Sequence, residues 1–247
     1  MTQHPIKVAL VDDHILLRNA LASMLDGTGE CKVIIQASNG KELMDALGPG
    51  VLVEFGAGSA RKVGPLLAAL QPPAYVPLDI SGEHLAAACQ TLQAQFPEVP
   101  VLGICCDYSA LDHLPAHPLL EGQRLLGFYP GSSLGNFTPH QAQALLRQFA
   151  QLLGPGARLL IGIDQPKAVD RLEAAYNDAA GLSAAFAKNL LVRLNRDLEG
   201  SFDPSTFRYE ARWQSEQSRI AMALVSEQAQ SVYLGGRRWS FNAGEAL

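Results

Sequence analysis

Val51–Lys62, VLVEFGAGSARK, decides the fold. Four apolar residues and one acid lead into glycine-alanine-glycine, and two cations follow. The run reads as a buried strand feeding a tight turn at the start of a helix. Gly56 and Gly58 open backbone angles closed to other residues and let a ligand approach the main chain. The helix that follows offers unpaired N–H groups and a positive dipole end. Fifty residues precede the run, although such turns usually follow a domain's first strand.

Working outward, apolar runs alternate with helical patterns. IKVALVD, KVIIQA, VLVEFG, YVPLDI, PVLGICC, RLLGFYP and ARLLIGID read as strands. ILLRNALASMLD, GKELMDAL, VGPLLAAL, EHLAAACQTLQAQF and HQAQALLRQFAQLL read as helices. Continuous apolar strands between helices predict an α/β fold whose mainly parallel sheet is covered on both faces. The rhythm changes after Asp164. Residues 165–200 have helical periodicity through Leu172, Ala175, Phe186, Leu190 and Leu194, read as a packing stripe. YEARWQ, RIAMALVSE and QSVYLGG then alternate and suit antiparallel strands at a sheet edge. The clearest seam is LGPG at 47–50, which divides the chain into a 1–50 segment and a 51–247 domain.

The 247 residues are 48% hydrophobic and 17% charged, enough for a substantial core. The net charge of -5 argues against nucleic acid or an anionic membrane as the main partner. No apolar run approaches the roughly 20 residues that span a bilayer. Acids follow the first apolar stretch of MTQHPIKVALVDDH directly, so it is not a signal peptide, and a cytoplasmic location is expected. Cys31, Cys89, Cys105 and Cys106 fit neither a zinc site nor a disulfide framework and read as reduced thiols.

A dinucleotide fingerprint would need a third glycine at position 61, where Arg61 stands. The pattern E-x-G-x-G-x-A, Glu54 to Ala60, instead looks like the first motif of S-adenosylmethionine-dependent methyltransferases. Such a site wants a second acid at the end of the next strand for the ribose hydroxyls. Asp79 stands there, and Asp107-Tyr108 after the following strand is placed to read the adenine. FYPGSSLGNF follows the next strand at the same edge, and Asn136 within it can both donate and accept, which suits an amino-acid substrate.

From Val51 to about Glu245 the chain resembles the histidine-specific Nα-methyltransferases of ergothioneine biosynthesis. The matching stretches are LVEFGAGSARK, YVPLDIS, FYPGSSLGNF, LEAAYNDAAGLSAAFAKNLLVRLNRDL, FRYEARWQSEQSRIAMALVS and FNAGE. The resemblance implies a Rossmann-like methyltransferase core with a substrate domain. It implies that Gly56, Lys62, Asp79, Asp107 and Tyr108 bind S-adenosylmethionine, beside Glu54 and Gly58 of the turn. It also implies that Gly131, Asn136 and Tyr176 line the histidine site, with Asn136 holding carboxylate and amine and Tyr176 orienting the substrate through its hydroxyl. In that family the equivalent of FNAGE continues into a segment whose glutamate and serine grip the imidazole, and this chain stops at Leu247.

Residues 6 to about 46 look like the first half of a flavodoxin-like response-regulator receiver domain, with Asp12 and Asp13 matching its Mg²⁺-binding acids. The receiver's phosphoacceptor and its later threonine or serine and lysine have no place here, so that pair reads as a relic or a solvated strand end and no working metal site is expected. The join suggests a chimera engineered from two related folds, and the family's substrate-site segments missing at both ends suggest that it binds cofactor with weak or no turnover. The alternatives are an active histidine N-methyltransferase and a phosphoacceptor receiver. One conflict follows. Strand 51–55 would pair with strand 7–11 in a receiver, but with strands 75–79 and 124–128 in a methyltransferase, and a strand has only two edges.

Overall fold

The computed structural model describes residues 6–11, 15–27, 29, 31–48, 50–58, 62–163 and 168–247. The elements run β1 (Ile6–Val11), α1 (Ile15–Gly27), β2 (Cys31–Ala37), α2 (Gly40–Leu47), β3 (Val51–Phe55), α3 (Gly64–Leu70), β4 (Tyr75–Asp79), α4 (Gly82–Gln95) and β5 (Ile104–Cys105). They continue with β6 (Leu125–Tyr129), α5 (Pro139–Leu153), β7 (Arg158–Ile161), α6 (Val169–Tyr176), α7 (Leu182–Asp197), β8 (Phe207–Gln214), β9 (Arg219–Ser226), β10 (Gln230–Leu234) and β11 (Arg237–Phe241). Asp12 and Asp13 lie outside the described residues.

The pairing conflict is resolved in favour of the methyltransferase arrangement. A five-stranded parallel sheet runs β5-β4-β3-β6-β7, with β3 between β4 and β6. β1 pairs in parallel with β2 in a separate two-stranded ladder. This is the Rossmann-like architecture expected from alternating elements, with its first chain reversal beside β3.

Every residue of β3 is buried, because both faces of the sheet are covered. On one face Leu52, Tyr75, Leu126 and Phe128 pack with Leu66 and Leu67 of α3 and with Ala88 and Leu92 of α4. On the other, Val51, Val53, Phe55, Val76 and Leu78 pack with Leu145, Phe149, Leu152 and Leu153 of α5. Phe149 stacks on Phe55 with ring centroids 4.0 Å apart. α5 approaches the sheet closely because position 127 has no side chain: a Cβ there would lie 2.6 Å from Leu153 Cδ1 and 2.7 Å from Leu159 Cδ1. Thr138 and Gln141 form a capping box that fixes the start of α5.

LGPG at 47–50 is not where the molecule divides. The chain forms two compact units, Met1–Asp164 and Gln165–Leu247. Ala37, Leu43 and Leu47 share one core with Leu52 and Leu67 across that seam. Arg124 and Arg158 also donate to the Leu47 carbonyl, each at 2.7 Å, satisfying the C-terminus of α2.

In the second unit, α6 and α7 replace the single long helical pattern. Asp178 breaks it by accepting from the N–H groups of Leu182 (2.8 Å) and Ser183 (2.7 Å), and Gly181 takes φ +70°. β8 pairs with β9 and β10 with β11 as two antiparallel ladders of their own. Leu191, Phe202, Phe207, Leu224 and Val232 form this unit's core. The predicted packing stripe is only partly realised: Leu172 is buried, whereas Phe186 and Leu190 are exposed.

Candidate functional site

β3 ends in a turn held from below. Gly56 (φ +73°) and Gly58 (φ +54°) adopt angles that favour glycine. The N–H groups of Gly56 and Ala57 both donate to the Leu78 carbonyl, at 2.9 and 3.1 Å. The Gly58 N–H donates to Asp79 Oδ2 at 2.9 Å, and Asp79 Oδ1 accepts from the Ser81 N–H at 2.9 Å. One carboxylate therefore ties the glycine turn to the start of α4. An ionised carboxylate has about four acceptor positions. Two are used here, which leaves capacity for a vicinal diol such as a ribose.

The turn fits S-adenosylmethionine. Among the described residues nothing lies within 4 Å of where a Cβ at Gly58 would sit, which leaves room for a ligand beside the main chain there. Gly56 lies under Tyr108, whose hydroxyl would be 3.4 Å from a Cβ at that position. Tyr108 is half-buried, meets Phe55 edge-on at 5.7 Å and hydrogen-bonds with Tyr129. Burial, then Tyr129, pushes its phenol up to about 12, so it stays a neutral hydroxyl. Its neighbour Asp107 accepts from the Ser109 hydroxyl (2.6 Å) and N–H (2.9 Å), and these bonds hold its carboxyl below the ordinary range.

Glu54 does not face the open side of the turn. It is 1% exposed and accepts a 2.5 Å hydrogen bond from the Tyr75 hydroxyl. Burial raises its carboxyl to about 7, opposed by the Tyr75 hydrogen bond and by the Lys62 charge.

The loop after β6 completes the edge. Gly131 takes φ +83° and Ser132 φ +58°, and the Ser132 N–H donates to the Gly162 carbonyl at 3.1 Å. A Cβ on Gly131 would lie 2.7 Å from Lys62 Nζ, so the lysine ammonium from the glycine turn reaches this loop. Asn136 closes the short 3₁₀ turn Ser133–Asn136 and is exposed. A groove of about 650 Å³ opens beside Lys62, between α2 and α3.

The first unit thus places Glu54, Gly56, Gly58, Lys62, Asp79, Asp107, Tyr108, Gly131 and Asn136 at the carboxyl ends of the parallel strands, where open α/β sheets bind ligands. Tyr176 belongs to the second unit. It ends α6, is 45% exposed, and its carbonyl accepts from the Tyr209 hydroxyl at 2.7 Å. Sequence reasoning missed Tyr75, Ser81 and Tyr129. The available signal for Tyr75 was an aromatic residue with a polar tip opening the buried strand YVPLD, two positions before Pro77, which lies opposite Glu54. No group of metal-ligating side chains occurs among the described residues, and none of their helices is long and apolar enough to cross a membrane.

The profile of the histidine-specific, S-adenosylmethionine-dependent methyltransferases matches residues 29–247. The chain belongs to that family. It is 36% identical over 212 residues to the histidine N-alpha-methyltransferase of Mycolicibacterium smegmatis, and 35% identical over 212 residues to that of Mycobacterium tuberculosis. Each alignment covers 83% of this chain and 65% of the relative, so the chain spans about two thirds of their length. Ergothioneine biosynthesis protein 1 of Schizosaccharomyces pombe is 30% identical over 171 residues, covering 66% of this chain and 22% of that one. The family match begins at residue 29, inside the stretch that resembles a receiver, and nothing in the matches points to a receiver domain.

Proposed function

We propose that the chain is an S-adenosylmethionine-dependent N-methyltransferase that acts on the α-amine of histidine or a closely related amino acid. The observation that carries this reading is the Asp79 carboxylate bridging the glycine turn and the start of α4, with acceptor capacity left over. Gly56, Gly58, Asp79, Asp107 and Tyr108 would hold the cofactor, and Lys62 would supply a cation between it and the Gly131 loop. When bound, the cofactor supplies an electrophilic methyl group on a sulfonium.

The protein's own contribution is placement. The acceptor amine must be neutral and in line with the methyl carbon, and fixing that geometry supplies much of the rate. Asn136 can accept from the amine and donate to the carboxylate at once. Gly131, with no side chain to collide with Lys62, keeps the main chain open beside them. The orienting role of Tyr176 rests on the family resemblance. No step calls for a metal.

A cofactor binder without turnover, which the unmatched substrate-site segments at both ends suggested, has less support, because the family match runs from residue 29, within the receiver-like start, to 247 and the relatives are histidine N-alpha-methyltransferases. The test is incubation with methyl-labelled cofactor and histidine. Label appearing on the α-nitrogen supports the enzyme. Cofactor binding with no transfer at high protein concentration would return the binder reading.

A further inference from the structure

Glu54 is an expensive residue to keep. Transferring a carboxylate out of water costs several kcal/mol unless it is paired or protonated, and Glu54 lies on the same face of β3 as Leu52, which shares a core with Leu66 and Leu67. Tyr75, itself 0% exposed, supplies its one hydrogen bond among the described residues. Tyr75 and Glu54 project from the same face of neighbouring strands, on a diagonal across the ladder. The carboxyl sits two residues before Gly56, at the strand end from which the turn springs.

Among the described residues, the charged and titratable surroundings of Glu54 are few. Lys62 faces it from the loop before α3, and Tyr75 from β4. Cys89 of α4 lies near Tyr75, and burial keeps its thiol neutral. Lys41 and Asp45 of α2 line the groove outside Lys62. α3 and the β6 residues on this face, Leu126 and Phe128, carry no titratable group.

Resting on the proposed cofactor site, we propose that Glu54, held by the Tyr75 hydroxyl beneath the glycine turn, is a positioning residue that responds to the charge of the bound methyl donor. It gives up its proton when the sulfonium form binds and takes one back under the uncharged sulfur product. Transfer forms an N–CH₃ bond and breaks the S–CH₃ bond. The bonding pair stays on sulfur, the positive charge passes to the acceptor nitrogen, and that nitrogen's proton leaves to solvent. The site thus loses the cation that favoured ionised Glu54. The consequence is weaker retention of S-adenosylhomocysteine than of S-adenosylmethionine wherever Glu54 can ionise.

The sign follows from the burial of the carboxyl. Burial holds its carboxyl far above the ordinary carboxylate range, so the proton persists on it up to about pH 7 before the cofactor binds. A cation placed nearby favours the ionised form. Affinity for the sulfonium therefore rises as pH increases through about 7 and levels off above. A unit charge several ångströms away in a protein environment changes affinity on the order of tenfold.

The experiment is calorimetric titration of the full chain with S-adenosylmethionine and, separately, S-adenosylhomocysteine, between pH 6 and 8.5 in buffers of differing ionisation enthalpy. The expected result is proton release with the first ligand and little with the second, and an affinity ratio that climbs about tenfold across the range. Glu54→Gln should flatten both. Tyr75→Phe removes a donor that favours the ionised form, so it should move the transition to higher pH while leaving it present. That shift is one a purely structural role would not give, and melting curves confirm that each variant is folded. Equal proton release with both ligands, or a pH-dependent ratio that survives in folded Glu54→Gln, overturns the proposal. Absence of S-adenosylmethionine binding to the unaltered protein overturns the cofactor reading itself, and the proposal with it.

Discussion

Asp79→Asn is the most informative single substitution. It preserves the shape of the side chain but replaces one acceptor oxygen with a donor NH₂. In the native site both oxygens accept main-chain N–H groups at 2.9 Å, from Gly58 and Ser81. The asparagine can satisfy only one of them, and its amide would face the other donor to donor. Hydrogen bonds to charged groups contribute about 1.5–3 kcal/mol each. The variant also loses acceptor positions for a ribose diol. Half-exposure of Asp79 lowers these figures, so a loss of about 3 kcal/mol for ligand binding is expected, on the order of a hundredfold in affinity. The fold should hold, because the affected bonds lie outside the sheet ladders. A chain of this size loses roughly 2–4 °C in Tm per kcal/mol, and no more than that is expected. Calorimetric titration with S-adenosylmethionine, beside a melting curve, measures both. A folded variant with affinity within about threefold of native would refute the assignment of Asp79 to the ligand.

Gly127→Val should lower stability by about 1–3 kcal/mol through overpacking, because the new Cβ would sit 2.6 Å from Leu153 Cδ1; chemical denaturation reads this directly. Phe149→Ala, which removes a fully buried ring stacked on Phe55, should cost about 3–5 kcal/mol by the same measurement. Asn136→Ala and Tyr176→Phe should each raise KM for histidine while leaving the calorimetric affinity for S-adenosylmethionine within a few-fold; loss of cofactor affinity instead would move these residues out of the substrate site. Asp178 has its carboxyl held down at about 2, first by the Ser183 side chain and then by main-chain N–H groups. A depressed carboxyl stabilises the fold above its ordinary unfolded value and loses that contribution as pH falls toward about 2. The stability gap between native protein and Asp178→Asn should therefore close over that interval in acid titrations of folding.

By itself the sequence determined the class of fold and the residues at the sheet's carboxyl edge. Val51–Phe55 is apolar on both faces, which only a doubly covered strand tolerates, and Gly56 and Gly58 supply the angles its turn needs. Asp79, Asp107 and Asn136 were legible because parallel topology places successive strand ends at one edge. The tertiary structure alone decided which strand lies beside which. Alternating patterns say that strands are buried but not which neighbours they take, so β1 could be read toward β3 although β3 has both edges filled by β4 and β6. The same limit hid the true division of the chain. Glycine and proline at 47–50 mark a turn, while a unit boundary depends on who shares a core, and Leu43 and Leu47 share theirs with β3 and α3. Local pattern also placed Glu54 with the ligand-facing residues. Only three-dimensional packing turned it beneath the turn to Tyr75, because a hydrogen bond between residues 21 apart depends on strand register, which no local pattern specifies.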